Sequence, residues 1–302
     1  MINLFNINNY VVDTSSFNNL LHDEIVCEFE EAFASYVGAK HACFANSASS
    51  LLFLSLLKYN TTIRLPSTIP PVVPNVIVNT NNKIQFYDDT EWVGHQYHLH
   101  DNIYDSAQEV TRGQYKKLND PNALVIFSFY PTKPVGGCDG GMVVSDSRET
   151  IDWYRMMVLN GMNYSNNNWE RKQIAAGYKM HGTSIQAHIA YENLKKLDHK
   201  NNRLDEIRRY YNDELGYSNT SRHLYRIRVD NNSQFINLMK KESIVCGIHY
   251  EHCHEKRFYG EHLDLAASKQ ESKQTVSIPY HEKLTKNQIN KVVNYVNKFK
   301  NN

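Results

Sequence analysis

A chain of 302 residues with 33 basic and 32 acidic side chains is almost uncharged, at +1 with histidine neutral. No long block of one sign is present, which argues against nucleic acid as the main partner. Hydrophobic residues make up 41% and charged residues 22%, an ordinary globular balance with room for one large domain plus a smaller one, and no apolar run is long enough to suggest a membrane partner.

The opening MINLFNINNY lacks the basic start and apolar centre of a signal peptide, so a cytoplasmic protein is expected. Cys27, Cys43, Cys138, Cys246 and Cys253 are scattered and include no CxxC pair, so neither a disulfide framework nor a zinc knuckle is indicated.

In chain order, residues 24–37 predict an amphipathic helix: Ile25, Phe29, Phe33 and Tyr36 recur at helical spacing and Gly38 supplies a stop. Residues 42–45 predict a short buried strand. It runs into the small residues Asn46, Ser47, Ala48, Ser49 and Ser50, which open an apolar helix over 51–57. A strand followed by a helix N-terminus is a candidate anion site, because free N–H groups and the helix dipole favour a phosphate there. Simple capping by serine accounts for the same residues.

Strands are expected at 62–65 and 83–87, with a Pro-rich entry at 66–74 and a helix over 72–78 between them. Residues 90–100 have little periodicity and read as loop. Their His95, His98 and His100 lack a carboxylate or cysteine at useful spacing, so no metal is assigned. A strand at 102–104 leads to Asp105, Ser106, Ala107 and Gln108. A carboxylate at a strand's C-terminal end points into the crevice where open α/β sheets bind ligands, which makes Asp105 a candidate partner for a cationic ring nitrogen; capping the next turn is the alternative.

The strand 123–127 enters SFYPTKPVGGCDGGM, residues 128–142, followed by another apolar run at 142–144. Lys133 lies in its middle, between strand ends and beside two glycine pairs. A crowded, partly desolvated lysine is a nucleophile toward aldehydes, and pyridoxal phosphate (PLP) is the main biological partner of such an amine. A solvated lysine beside a tight hairpin is the other reading. Helices follow at 151–159 and from Thr183 through Leu197, after a turn at 177–182, and a charged helix covers 198–215. Strands at 224–229, 247–250 and 275–278 with helices at 234–241 and 285–298 describe a small α+β unit. The expected division is 1–215 and 216–302.

This order of features resembles the DegT/DnrJ/EryC1/StrS family of PLP-dependent aminotransferases, which act on nucleotide-linked keto-sugars. FEEAFASYVGAKHACFANSASSLL is similar to the family's opening helix, strand and phosphate loop, YDSAQ to its D-x-A-Q segment, and FSFYPTKPVGGCDGGMVV to its lysine loop. GYKMHGTSIQAHIAYENLKKLD and SIPYHEKLTKNQINKVVNYV resemble its long-helix entry and C-terminal segment. The resemblance implies the type I PLP aminotransferase fold: α/β, with a mixed, mostly parallel sheet in the large domain and a small C-terminal α+β domain. It also implies a homodimer with shared active sites.

By position, the resemblance makes Lys133 the residue that holds PLP as an internal aldimine and then moves the proton. Asp105 would face the pyridine nitrogen and Gln108 the ring hydroxyl, while Ala48, Ser49 and Ser128 would contact the phosphate. The implied reaction carries an amino group, usually from L-glutamate, to a keto carbon of a nucleotide-linked deoxysugar. Family members that became dehydratases replace the lysine with histidine, and this chain keeps it.

Four features depart from the family. Pro70 stands where an aromatic or histidine normally stacks on the ring. The G-Y-N turn is GYK, so Lys179 replaces an asparagine that reaches the neighbouring subunit's phosphate, and the usual arginine two residues on is His181. The segment between Asp89 and Asn102 is too short for the family's further strand and helix. The sugar-side loop is condensed, with His249, Tyr250 and His252 as candidate substrate contacts or as a His-rich surface loop. These departures motivate an alternative: a non-catalytic or partner-dependent member that binds a nucleotide-sugar without transamination.

Overall fold

The computed structural model describes residues 1–163, 170–260 and 264–300. Its main sheet has five strands, β1 (His41–Ala45), β4 (Tyr97–His100), β5 (Ile103–Asp105), β6 (Leu124–Ser128) and β7 (Gly141–Ser145), in the order β1-β7-β6-β5-β4. β5 and β6 pair in parallel, and the other three pairings are antiparallel. The sheet is therefore mixed, with β1, β5 and β6 running one way and β4 and β7 against them. A separate parallel pair, β2 (Thr62–Pro66) and β3 (Lys83–Tyr87), packs beside β4.

Side-chain alternation explains why this sheet is covered on both faces. Ala42, Phe44, Val125, Phe127, Met142 and Val144 pack with Phe29 and Phe33 of α1 (Ile25–Val37) and with Ala187 and Ala190 of α5 (Ser184–Leu194). Cys43, Ala45, Leu124, Ile126 and Val143 pack on the other face. Their partners lie in α2 (Ala48–Leu56), α3 (Val72–Asn79) and α4 (Arg148–Val158). The result is a three-layer α/β arrangement. Gly38 ends α1 at φ +86°, its N–H bonding to the Ala34 carbonyl at 2.8 Å, a left-handed geometry that glycine tolerates best.

A second core gathers Leu204, Ile207, Tyr211 and Leu215 of α6 (Leu197–Leu215), Tyr225 and Ile227 of β8 (Tyr225–Arg228) and Phe235 of α7 (Asn232–Lys241). Val276 and Ile278 of β9 (Thr275–Ile278) and Val292, Val293 and Val296 of α9 (Lys286–Phe299) close it, and β8 and β9 pair antiparallel. Capping boxes start α5 (Thr183 with Gln186) and α9 (Thr285 with Gln288).

Four local expectations are corrected. Residues 97–100 are strand β4 and not loop; the pairing spans four residues and is broken by an irregularity between His98 and His100, too little for period-2 alternation to show. Residues 247–250 form no strand: Gly247 makes one bridge, to Ser277. The helix from Thr183 stops at Leu194, and α6 begins afresh at Leu197. Residues 177–182 run extended beside β1 and the end of α4, with bridges Ala45–His181 and Leu159–Lys179. A further helix, α8 (Ala266–Gln274), is polar enough to have left no apolar stripe in the sequence.

Candidate active site

Three strand ends meet at one edge of the main sheet. In register, Ala45 of β1 opposes Gly141 of β7, and Gly141 opposes Ser128 of β6; two residues back along β6, Ile126 opposes Asp105 of β5. The C-terminal ends of β1, β6 and β5 thus lie side by side, which is where open α/β sheets take their ligands.

At the β1 end, the chain turns into α2. Ser47 caps the helix by accepting from the Ser50 N–H at 3.1 Å, so the N–H groups of Ala48 and Ser49 sit in the first turn without an intrahelical acceptor. Gly141 brings β7 against this turn: a Cβ there would stand 2.3 Å from the Ala48 nitrogen. Only glycine permits so close an approach. Ser128 is buried and its hydroxyl accepts from the Tyr130 N–H at 3.3 Å.

At the β5 end, Asp105 is 5% exposed. One carboxylate oxygen accepts from the Ala107 N–H and the other from the Tyr97 hydroxyl, both at 2.9 Å. Burial raises this carboxyl above its ordinary value; the two hydrogen bonds and the charge of Lys133 act in the opposite direction. Gln108 is buried, and its side-chain oxygen accepts from the Gly94 N–H at 3.0 Å.

Lys133 follows β6 on the turn that the two glycine pairs close. Its N–H donates to the Tyr130 carbonyl at 2.8 Å. Asn193 of α5 donates to the Gly136 carbonyl at 2.6 Å and Lys200 of α6 to the Pro134 carbonyl at 2.7 Å, so two helices hold the turn. Gly136 lies at φ +65°, and a Cβ on it would meet the Pro131 carbonyl at 3.0 Å. Burial lowers the Lys133 amine below its ordinary value, and the Asp105 charge only partly restores it. Such an amine gives up its proton more readily than a surface lysine and is the better nucleophile.

Around this pair stand His249 and Tyr250. His249 bonds Ser277 Oγ at 3.0 Å and is pushed down to about 4, first by burial and then by the charges of Lys133 and Arg226. Tyr250 feels the charge of Asp105, is held neutral chiefly by burial, and stacks on Trp92 at 6.3 Å with planes 7° apart. His252 is placed otherwise: its ring nitrogens meet Ser272 at 2.7 Å and Glu255 at 2.6 Å. Lys179 is exposed on the extended stretch beside α4. His181 has its ring 4.6 Å from that of His22. The structure therefore brings Lys133, Asp105, His249 and Tyr250 together and sets Ala48, Ser49 and Ser128 along the same sheet edge.

Sequence reasoning missed Tyr97, Trp92 and His223. Tyr97 and Trp92 lay in a stretch without periodicity. His223 is buried, stacks on Phe5 at 5.8 Å and is held neutral by burial and by the charge of Lys133. His95, His98 and His100 have separate surroundings: Thr220 and Glu109, the Asp101 carbonyl, and the Tyr59 ring. Among the described residues no group of three or more His, Cys, Asp or Glu is placed to hold a metal, and no helix is long and apolar enough to cross a membrane.

Residues 102–297 match the sequence model of the DegT/DnrJ/EryC1/StrS aminotransferase family. The chain is 26% identical to the UDP-4-amino-4,6-dideoxy-N-acetyl-beta-L-altrosamine transaminase of Campylobacter jejuni, with 90% of each chain covered. It is 25% identical to the spore coat polysaccharide biosynthesis protein SpsC of Bacillus subtilis, covering 90% of this chain and 88% of that one. In fold it is similar to the aminotransferase TlmJ of Streptoalloteichus hindustanus, with TM-score 0.81 at 17% identity over 99% of this chain and 98% of that one. The Helicobacter pylori aminotransferase PseC gives TM-score 0.78 at 17% identity over 97% and 98%.

Proposed function

The chain belongs to the DegT/DnrJ/EryC1/StrS aminotransferase family, whose enzymes use pyridoxal 5'-phosphate, and we propose that it transfers an amino group from L-glutamate to a keto carbon of a nucleotide-linked deoxysugar. One observation carries this reading. A lysine amine with lowered proton affinity, a buried carboxylate and an open helix N-terminus occupy neighbouring ends of one sheet.

The residues present fit the cofactor. Gly141 packs its backbone against the first turn of α2, and the Ala48 and Ser49 N–H groups of that turn, with Ser128 on the adjacent strand end, suit a phosphate. Asp105 suits the ring nitrogen, and Lys133 the aldehyde. Bound there, PLP supplies an electron sink for breaking a carbon–hydrogen bond.

Each residue then has a definite task. Asp105 would hold the ring nitrogen, its ionised form favoured by the Tyr97 and Ala107 hydrogen bonds against the effect of burial. Lys133 Nζ first holds the cofactor. Its free amine would take up and return the proton at the amino-bearing carbon, a role that its lowered proton affinity favours. His249 and Tyr250, both neutral, line the substrate side, and burial keeps water from competing for the proton. Gln108, held by the Gly94 N–H, would lie beside the ring, and Lys179 would serve a neighbouring subunit's phosphate in a homodimer.

The test is an absorption spectrum of the purified chain with PLP, before and after borohydride, beside Lys133→Ala. A visible band that borohydride abolishes, with the label found on Lys133 by peptide mass spectrometry and lost in the variant, supports the site. No lysine-dependent band overturns it. A band without amino transfer from glutamate would turn the reading to a member that binds a nucleotide-sugar without transamination.

A further inference from the structure

Asp105 depends on a neighbour that lies outside the D-x-A-Q segment. The Ala107 N–H is a local donor, two residues along the chain, that the turn after β5 supplies by itself. The Tyr97 hydroxyl comes from another strand. In the β4–β5 pairing Tyr97 stands directly opposite Asp105, so both side chains leave the same face of the sheet. A shift of one residue would turn Tyr97 to the opposite face. The irregularity between His98 and His100, with Asp101 at φ +51° after it, ends the regular pairing two residues beyond Tyr97.

The Tyr97 ring is half-buried and held against Trp92, with ring centres 4.6 Å apart. Trp92 in turn stacks on Tyr250. The groups that act on the Asp105 carboxylate are thus Tyr97 from β4, the Ala107 N–H, Lys133 from the lysine turn and Tyr250 from the segment before β9. Of these, Tyr97 is the one side chain bonded to it among the described residues. A carboxylate has about four acceptor sites. Two donors therefore aim the group and still leave lone pairs for a ring nitrogen.

We propose that Tyr97 is a positioning residue for the cofactor-facing carboxylate, supplied by the short β4–β5 hairpin that this chain carries between Asp89 and Asp105. Its hydroxyl holds Asp105 Oδ2 in place and favours the ionised form. The proposal rests on the reading of Lys133 and Asp105 as the cofactor site.

The experiment compares the wild-type chain, Tyr97→Phe and Trp92→Phe. Each is followed by thermal melting without cofactor, by PLP affinity, and by the pH at which the visible band of the lysine-bound cofactor half-converts. Tyr97→Phe keeps the ring packed on Trp92 and removes the hydroxyl. It is expected to bind PLP about ten-fold more weakly, a difference of about 1.4 kcal/mol.

The half-conversion pH is expected to rise in Tyr97→Phe. A weaker Asp105 leaves the ring nitrogen less protonated, which withdraws fewer electrons and lets the Lys133 nitrogen keep its proton to higher pH. Trp92→Phe loosens the same packing but keeps the hydroxyl. It is expected to lower the melting temperature and leave the half-conversion pH in place.

Equal shifts of half-conversion pH in the two variants would assign the effect to packing and overturn the proposal. A wild-type band with Tyr97→Phe unchanged in affinity and half-conversion pH would overturn the role of Tyr97 alone. A wild-type chain with no lysine-dependent band would overturn the site reading and the Tyr97 assignment together.

Discussion

Gly141 shows how one residue can govern a site without contributing a functional group. It sits between Ala45 and Ser128 in the sheet register and touches the first turn of α2. Any side chain there drives a carbon to 2.3 Å from the Ala48 nitrogen, and backbone has to move. Gly141→Ala is therefore expected to cost at least about 1–3 kcal/mol of stability through overpacking. It should also weaken PLP affinity more than a distant substitution of equal cost does; denaturant unfolding and a cofactor titration measure the two. The sequence displayed the glycine pair but not its reason. Two adjacent glycines read as a turn, and only the register of three strands shows that the second is there for α2. Lys133 and Asp105 were more legible, because a lysine in a glycine turn and a carboxylate at a strand end each carry local signals. The Tyr97 hydroxyl carried none, since its partner is eight residues away across a hairpin that no periodicity announces.

At the scale of elements, α6 connects the two cores. Its first residue, Leu197, packs with the main sheet's α1 and α5 layer, and its later turns pack with β8, β9 and α9. On its flank Asp205 bonds Arg222 at 2.9 Å and 2.6 Å, with Arg208 at 3.0 Å, tying the helix to the segment before β8. The Arg222 bond is the main reason that the Asp205 carboxyl titrates below its ordinary value. A carboxyl depressed by folding adds stability above its unfolded value, about 3.9, and that contribution fades as pH falls through the lower folded value. Asp205→Asn is thus expected to lower stability at pH 7 by about 1 kcal/mol, the partial exposure of the arginines keeping the figure modest. The gap from wild type should close as pH falls through that lower folded value, as melting curves at several pH values would show. The caps behave more simply. Thr285→Ala removes the α9 capping box and is expected to cost about 1 kcal/mol, with PLP affinity unchanged because α9 belongs to the second core.

For the whole molecule, the question is whether a site is complete within one chain. Lys179 is exposed, on a stretch that runs beside β1 and α4, and no hydrogen bond ties its amine to Asp105 or Lys133. The proposed two-fold dimer with shared sites would give that amine a phosphate to meet in the neighbouring subunit. On this arrangement Lys133→Ala and Lys179→Ala each lose most amino transfer when purified alone. Co-expressed, half of the dimers are mixed and one of their two sites has both lysines, so roughly a quarter of wild-type activity is expected to return. No recovery would mean that Lys179 acts within its own chain or not at all. The region between Asp89 and Asn102 belongs to this scale as well. Its brevity was plain in the sequence, but its replacement by β4, antiparallel to β5 and next to β2, emerged only when the strands were assembled.

The family resemblance, most of the helices and strands, and the candidate roles of Lys133 and Asp105 were legible along the chain. Each of these is written in local pattern: helical spacing in α1 and α9, the serine run before α2, the lysine between its glycines. Assembly of the strands fixed which of those residues share a site. It put Tyr97 opposite Asp105, set Gly141 against α2 and turned His252 toward Glu255 while His249 stayed near Lys133. The reason is that register, close approach and desolvation are relations between distant segments. A window along the chain carries no information about them until the sheet has brought those segments within a few ångströms of one another.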